Sequence, residues 1–482
     1  MITGRKLGPL SLALLLLWVA SCKRDSIEPT LPVATTTSTT PSNSTINSWV
    51  YELMKDAYFW ANQLPAQTSL NSSRSPFSYF EGLVYQRNTL DRFSIITDDI
   101  EALKKEFNGV NKIFGLQYQL AYTDPSQTTI GLFISQVVKG SPAEAAGLHR
   151  GDIIMKVNGQ ELTNGNYATL LRESDQISVT LGHLEGDSFW IDNQKTLSIT
   201  KAEVNESPIA YSSIIDKSRY GKKIGYLVYT QFLPGTEASP KLYDDQLRSI
   251  FADFKAKGVN ELVLDLRFNG GGFISSAETL ASLAGANISP NNVFYKERWN
   301  DRYNAFFQRQ DGPNALNHNF LNEPNRLGGN LSRVFILTSR NTASASELVI
   351  NGLKPYMPVI TIGDNTAGKN LFGTLIEDDE DRWKWGIYLM LGQTANANGE
   401  SDYGTTDGIT PTFKVTDNRV PFRDFGDDNE PLFNKVLQVL EIPASPTARI
   451  GATSRVTPLA DEFLQDNLRT SEKRMIRESP FR

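Results

Sequence analysis

One cysteine and three histidines in 482 residues close off much of the usual chemistry. With Cys22 alone, no internal disulfide can form. His149, His183 and His318 are scattered and no H-E-x-x-H occurs, so neither a metal nor a cofactor is expected. Neither sign of charge dominates: 48 Lys and Arg face 54 Asp and Glu, a net charge of −6. That balance supplies no basic field, and no nucleic-acid partner is expected. No apolar run reaches the roughly 18 residues that read as a membrane span, and no internal repeat occurs. What is there, 40% apolar and 21% charged residues, is the balance of a soluble globular protein long enough for two or three domains.

The ends of the chain differ from its middle. Arg5 and Lys6 precede the apolar run LSLALLLLWVA and then Ser21-Cys22, the form of a signal-peptide core. VASC, residues 19–22, resembles a bacterial lipobox. The resemblance implies acylation of Cys22 and a lipid-anchored protein of the cell envelope, facing the periplasm or the cell surface, with the signal in residues 1–22. Residues 23–46 are rich in Thr, Ser and Pro and read as a flexible linker. Helical spacing starts in SWVYELMKDAYFWANQL, behind Asn47 or Ser48 as cap, and residues 47–110 read as an N-terminal helical region. Residues 441–482 form a polar, mixed tail with no readable role.

Residues 111–204 alternate short β-rich runs with turn residues. Within them, KGSPAEAAGLHRGDIIMKVNGQEL holds a short helix with Pro in its first turn and Gly147 at its end, then a strand and an Asn158-Gly159 hairpin turn. The stretch resembles a PDZ domain. That implies binding of an extended peptide C-terminus beside an edge strand, with Phe114, Gly115 and Leu116 as the loop for its carboxylate.

Residues 205–440 repeat strand, Gly-rich loop and helix, which predicts right-handed βαβ crossovers and mainly parallel strands. The whole chain therefore reads as multidomain α/β: a helical region, a β-rich PDZ-like domain and an α/β core. Functional groups belong at the carboxyl ends of the parallel strands. Three loops qualify there: 269–272, 340–346 and 364–369.

NTASASELVINGLK, residues 341–354, carries two serines. Ala345, Leu348, Val349, Gly352 and Leu353 mark a buried helix face, with Ser344 and Ser346 on its two flanks, so periodicity does not choose between them. Ser344-Ala-Ser-Glu347 also fits a capping box. DLRFNGGG puts glycines after a buried strand, where backbone N–H groups can form an anion nest. It is not a dinucleotide fingerprint, because Ser275 stands where the third glycine belongs. GDNTAGKN nearly spells a phosphate-binding loop, but Asn370 replaces its Ser or Thr and no helix pattern follows. Lys369 has another use: a lysine shielded from water loses its proton more easily, and neutral lysine can deprotonate a serine.

DLRFNGGG, NTASASELVINGL and GDNTAGK, in this order, resemble the C-terminal processing (tail-specific) serine peptidases over roughly residues 90–415. The resemblance implies a ClpP/crotonase-like core, Ser344 as nucleophile, Lys369 as its base, and the N–H groups of Gly271 and Ala345 as oxyanion donors. It also implies protein or peptide C-termini as partners. Many relatives place a glutamine four residues after the lysine; Gly373 stands there, leaving Glu347 as the nearest candidate for support. Thr412 replaces the acid of the family's G-I-x-P-D. The rival readings are a non-catalytic peptide-binding lipoprotein and a hydrolase built on one of the three histidines.

Overall fold

The computed structural model describes residues 41–443, 454–459, 464–465 and 473–477. The signal run, Cys22 and most of the linker lie outside the described residues. Helix α1 (Asn43–Ala57) starts earlier than its sequence suggested. Its cap is Ser42, whose hydroxyl accepts the Thr45 N–H, so residues 43–46 form a first turn rather than linker. Asn47 is no cap: it is buried on the helix and donates to the Ser72 and Arg74 carbonyls, both at 2.8 Å. Ile46, Val50, Met54 and Ala57 give the helix its buried stripe. The region is not purely helical either. Strand Ile95–Thr97 leaves it to pair with the core.

The β-rich domain is built on one large antiparallel sheet, with a separate antiparallel pair, Val110–Ile113 and Ala202–Asn205, joining its two ends. Its strand β1 (Leu116–Tyr122) pairs with Ile130–Val137, followed across the sheet by Ile153–Val157, Gln176–Glu185 and Ser188–Thr200. Asn158 and Gly159 both take positive φ, 52° and 75°, between the paired Val157 and Gln160, as the tight turn requires. The short helix Pro142–Ala145 carries Pro in its first turn and is capped by Ser141.

The core supplies the remaining elements: β2 (Lys222–Tyr229), β3 (Glu261–Asp265), β4 (Gly271–Phe273), β5 (Val334–Thr338), helix α2 (Ala345–Leu353), β6 (Val359–Gly363), β7 (Leu371–Glu377) and β8 (Gly386–Ala395). Two short strands follow late in the chain, β9 (Leu464–Gln465) and β10 (Arg474–Ile476). One sheet runs Ile209–Lys217, β2, β3, β5, β6, Phe413–Lys414, parallel throughout except at its first pair. The second runs β4, β10, β7, β8, Val293–Trp299, Asn317–Asn319. Its β7, β8 and outer strands are antiparallel. The mainly parallel reading therefore holds for the first sheet and is corrected for the second. There β7 and β8 are joined as a hairpin, which needs no helical crossover.

The main apolar core joins both sheets through the helices: Leu262 and Leu264 from β3, Leu348 and Val349 from α2, Leu389 and Leu391 from β8. Each such buried side chain contributes about 1.5–3 kcal/mol. Loops 266–270, 339–344 and 364–370 leave the carboxyl ends of β3, β5 and β6, side by side, where the topology expects function.

Candidate active site

The loop after β5 is tied to the loop after β3. The Thr342 hydroxyl donates to the Leu266 carbonyl (2.8 Å), and the Ala343 N–H donates to the Asn269 carbonyl (3.0 Å). The Ser346 hydroxyl donates to that same carbonyl at 3.1 Å. Ser344 differs. It holds φ 65° and ψ −112° at the head of α2, a conformation that costs a non-glycine residue about 1–3 kcal/mol. The capping-box arrangement is there, with Glu347 reaching back to the Ser344 N–H. Yet the buried Ser344 Oγ closes no hydrogen bond of its own. The fold thus separates two serines that periodicity could not.

Glu347 joins this loop to the lysine loop. Its Oε2 accepts the N–H of Ser344 (2.7 Å) and of Lys369 (2.8 Å), and its Oε1 accepts the Gly368 N–H (2.7 Å) and the Thr366 hydroxyl. Ser344 and Lys369 therefore sit side by side on one carboxylate oxygen. Glu347 grips backbone and does not touch the lysine amine, and burial pushes its carboxyl up from the ordinary value. Arg92 and Arg340 hold the lysine loop from outside, Arg92 on the Gly368 carbonyl (2.6 Å) and Arg340 on the Thr366 carbonyl (2.8 Å).

Lys369 is fully buried, and that burial lowers its pKa well below the ordinary lysine value. The amine lies 4.7 Å from the Phe93 ring centre and 4.9 Å from that of Tyr388. It donates to the Tyr388 hydroxyl (3.2 Å) and to the Lys473 carbonyl (2.7 Å), not to Ser344. Both members of the expected pair are in the site, but their mutual hydrogen bond is not formed.

The two candidate oxyanion donors are in different states. Ala345 is the first residue of α2, so its N–H has no partner within the helix. The Gly271 N–H is engaged by the Asn269 side chain at 2.8 Å. Gly271 has φ 106°, and a Cβ there would fall 2.8 Å from the Ser344 Cβ and 2.0 Å from the Arg474 carbonyl oxygen. Only glycine fits between them. Gly373 is equally closed to a side chain, since a Cβ would meet the Leu389 carbonyl at 2.4 Å. No glutamine could act from that position. Tyr388 occupies the neighbourhood of the amine instead, and nothing in the apolar run GIYLM singled it out.

Elsewhere, Phe114 and Leu116 are buried in the β-rich domain, with Gly115 between them at φ 97° at the head of β1. His149 bonds Asp152, His318 stacks on Tyr295 near Glu297, and His183 is exposed; none is a partner of Ser344 or Lys369. The near phosphate loop runs into strand β7 rather than a helix. Among the described residues no cluster of His, Cys, Asp or Glu could hold a metal.

Comparison with known proteins gives matches along most of the described chain. The model of Peptidase family S41 matches residues 223–415, that of the peptidase S41 N-terminal domain residues 45–95, and that of the PDZ domain residues 106–182. A chloroplastic C-terminal processing peptidase of Tetradesmus obliquus is 27% identical over 250 residues, 49% of this chain and 48% of that one. A carboxyl-terminal-processing protease of Synechocystis is 25% identical over 249 residues, 51% of each. The chain thus spans about half the length of these curated relatives. A Bacteroides fragilis crystal structure assigned to the S41 proteases superposes with a TM-score of 0.67 at 28% identity, over 82% of this chain and 97% of that one.

Proposed function

On the premise that an N-terminal helical region, a PDZ domain and an S41 serine peptidase core make up this chain, we propose that it is an endopeptidase with a Ser344–Lys369 dyad. It cuts exported proteins at or near their C-termini. The PDZ domain takes the substrate tail beside β1, and a lipid on Cys22 tethers the enzyme to a membrane of the cell envelope.

One observation carries the reading: a strained serine with an unpartnered hydroxyl donates its backbone N–H to the same carboxylate oxygen that takes the backbone N–H of a lysine buried away from water. Burial lowers the pKa of that lysine well below the ordinary value and so favours the neutral amine, the form that can take the proton of Ser344 Oγ as the oxygen attacks the scissile carbonyl. The carbonyl oxygen becomes an oxyanion beside the free N–H of Ala345 and the positive end of α2. Lys369 then returns the proton to the leaving amine. Water repeats the cycle on the acyl-enzyme. The amine is held by the Tyr388 hydroxyl and the Lys473 carbonyl and makes no hydrogen bond to Ser344, so it must turn to the serine for that transfer.

Cleavage of an unstructured peptide tests the assignment. Ser344→Ala and Lys369→Arg should each abolish turnover, because guanidinium keeps the charge but cannot act as base. Ser346→Ala should retain most activity, losing one hydrogen bond worth about 1 kcal/mol. Wild-type rates in Lys369→Arg would overturn the dyad. Peptide binding without turnover in the unaltered protein would make the chain a binding module instead.

A further inference from the structure

The strand that blocks Lys369 comes from the chain itself. β10 lies parallel between β4 and β7, with Gly271 opposite Arg474, Gly272 opposite Met475, and Gly373 opposite Ile476. The Arg474 N–H donates to the Gly270 carbonyl (2.8 Å) and the Arg477 N–H to the Gly373 carbonyl (2.9 Å). Its side chains are seated as well as its backbone. The buried Arg474 guanidinium donates to the Glu106 carbonyl (2.9 Å) and lies 4.8 Å from the Phe107 ring centre. Met475 is fully buried, and the Tyr388 hydroxyl bridges its N–H and its carbonyl. Ile476 is 5% exposed.

A second stretch of the same segment lies on the PDZ domain. β9 adds antiparallel to β1, with Leu464 opposite Tyr118 and Gln465 opposite Gln117. The Leu459 N–H donates to the Leu120 carbonyl further along. This edge starts directly after Phe114 and Gly115, where strand addition by a peptide is expected of such a domain. The two seats are contiguous. One small cavity is lined by Gln117 of β1, by Gly270, Gly271 and Asn341 of the core, and by Lys473 and Arg474.

We propose that the groove between β4 and β7 is a strand-accepting site for extended peptides with a basic residue followed by two apolar ones, and that residues 473–477 of the chain occupy it in cis while residues 457–459 and 464–465 occupy the PDZ edge. The chain is held by its own segment in the manner of a substrate, and the enzyme opens when that segment leaves. The inhibitory consequence rests on the Ser344–Lys369 reading; the occupancy does not. A permanent structural strand would have no reason to place a carbonyl on Lys369, the one buried lysine amine among the described residues.

The test uses the full chain with Arg474→Glu or Met475→Asp. Hydrogen exchange of residues 270–273 and 371–377 is read by mass spectrometry, and Ser344 is titrated with a fluorophosphonate. Each variant should exchange faster in both stretches and label at least about tenfold faster. A synthetic peptide of residues 471–482, added in trans, should restore protection where a scrambled one does not. Unchanged exchange in both variants, or no restoration by the peptide, overturns the proposal. Faster exchange with no labelling of any form leaves the occupancy standing and sinks Ser344 as nucleophile. If a variant also opens β5, so that misfolding is the cause, the unaltered chain decides: an excess of the peptide carrying a photoreactive group at Ile476 should crosslink to β4 or β7, and absence of crosslinks overturns the proposal.

Discussion

Glu347 gathers four donors on one buried carboxylate, and two of them belong to the backbones of Ser344 and Lys369. In Glu347→Gln the amide nitrogen would face N–H groups it cannot accept from. Hydrogen bonds to a charged group are worth about 1.5–3 kcal/mol each, so losing two should cost roughly 3–6 kcal/mol in a denaturant titration. Activity should fall with it, because the same change releases the lysine loop. Glu347→Asp, which keeps the charge but shortens the reach, should lose less. Lys369 supplies the pH dependence. Only its neutral form is a base, and burial lowers its pKa, so kcat/KM should rise with pH through an inflection below the ordinary lysine value of 10.5. That limb is expected to be absent at all pH values in Lys369→Arg. Both serines and the lysine were legible as candidates in the sequence. The choice of Ser344 over Ser346 was not legible from periodicity, since it depends on the Asn269 carbonyl, which is contributed by a loop about 75 residues earlier and takes Ser346 alone as hydroxyl donor. Tyr388 was invisible because an apolar strand needs no tyrosine hydroxyl to look as it does.

Between elements, Arg150 is the bolt. It lies in the loop after the short PDZ helix, yet its guanidinium is buried against the core. It donates to the Arg423 carbonyl (2.6 Å) and the Ser135 carbonyl (2.5 Å), and lies 4.9 Å and 4.4 Å from the Phe422 and Phe425 ring centres. Below it, Arg267 pairs with Asp265, Glu430 and Asp417, so the acids keep a cation when Arg150 is removed. Arg150→Ala should therefore cost about 2–4 kcal/mol through the two carbonyls and two rings, without stranding a charge. Protease nicking between residues 106 and 205 should increase before β5 loses its exchange protection. Arg150→Lys should rescue little, since an ammonium cannot span both carbonyls and both rings. The sequence showed this element only as a PDZ loop, because the core partners of Arg150, at 422, 423 and 425, lie some 270 residues away. The same distance explains the second sheet. The first was legible from strand–glycine–helix alternation, but β7 and β8 are antiparallel neighbours joined by a charged loop, and β4 is three residues of a glycine turn whose strand partner, β10, comes about 200 residues later.

At the scale of the whole molecule, the PDZ edge and the catalytic groove are two seats filled by one covalently attached segment. Attachment changes the arithmetic of competition. A segment on the same chain acts at an effective concentration on the order of millimolar, whatever the dilution of the protein. A free substrate peptide must displace it, so apparent KM is raised by the reciprocal of the unoccupied fraction while kcat, measured at saturation, is not. Engineering a recognition sequence for an unrelated protease between residues 443 and 454 would allow the segment to be severed without altering any residue of either seat. Before cutting, KM should be high and independent of enzyme concentration. After cutting and dilution into the nanomolar range the segment should dissociate, KM should fall by tenfold or more, and kcat should change by less than about twofold. Adding the 471–482 peptide back should raise KM again in a saturable way. A kcat that rises with KM unchanged would mean that the segment acts on the chemistry rather than by occupying the groove. Composition could not have anticipated this. Residues 441–482 are polar and mixed, as an uninvolved tail would be, and the one signal in them, an arginine before two apolar residues, has meaning only against the groove that receives it.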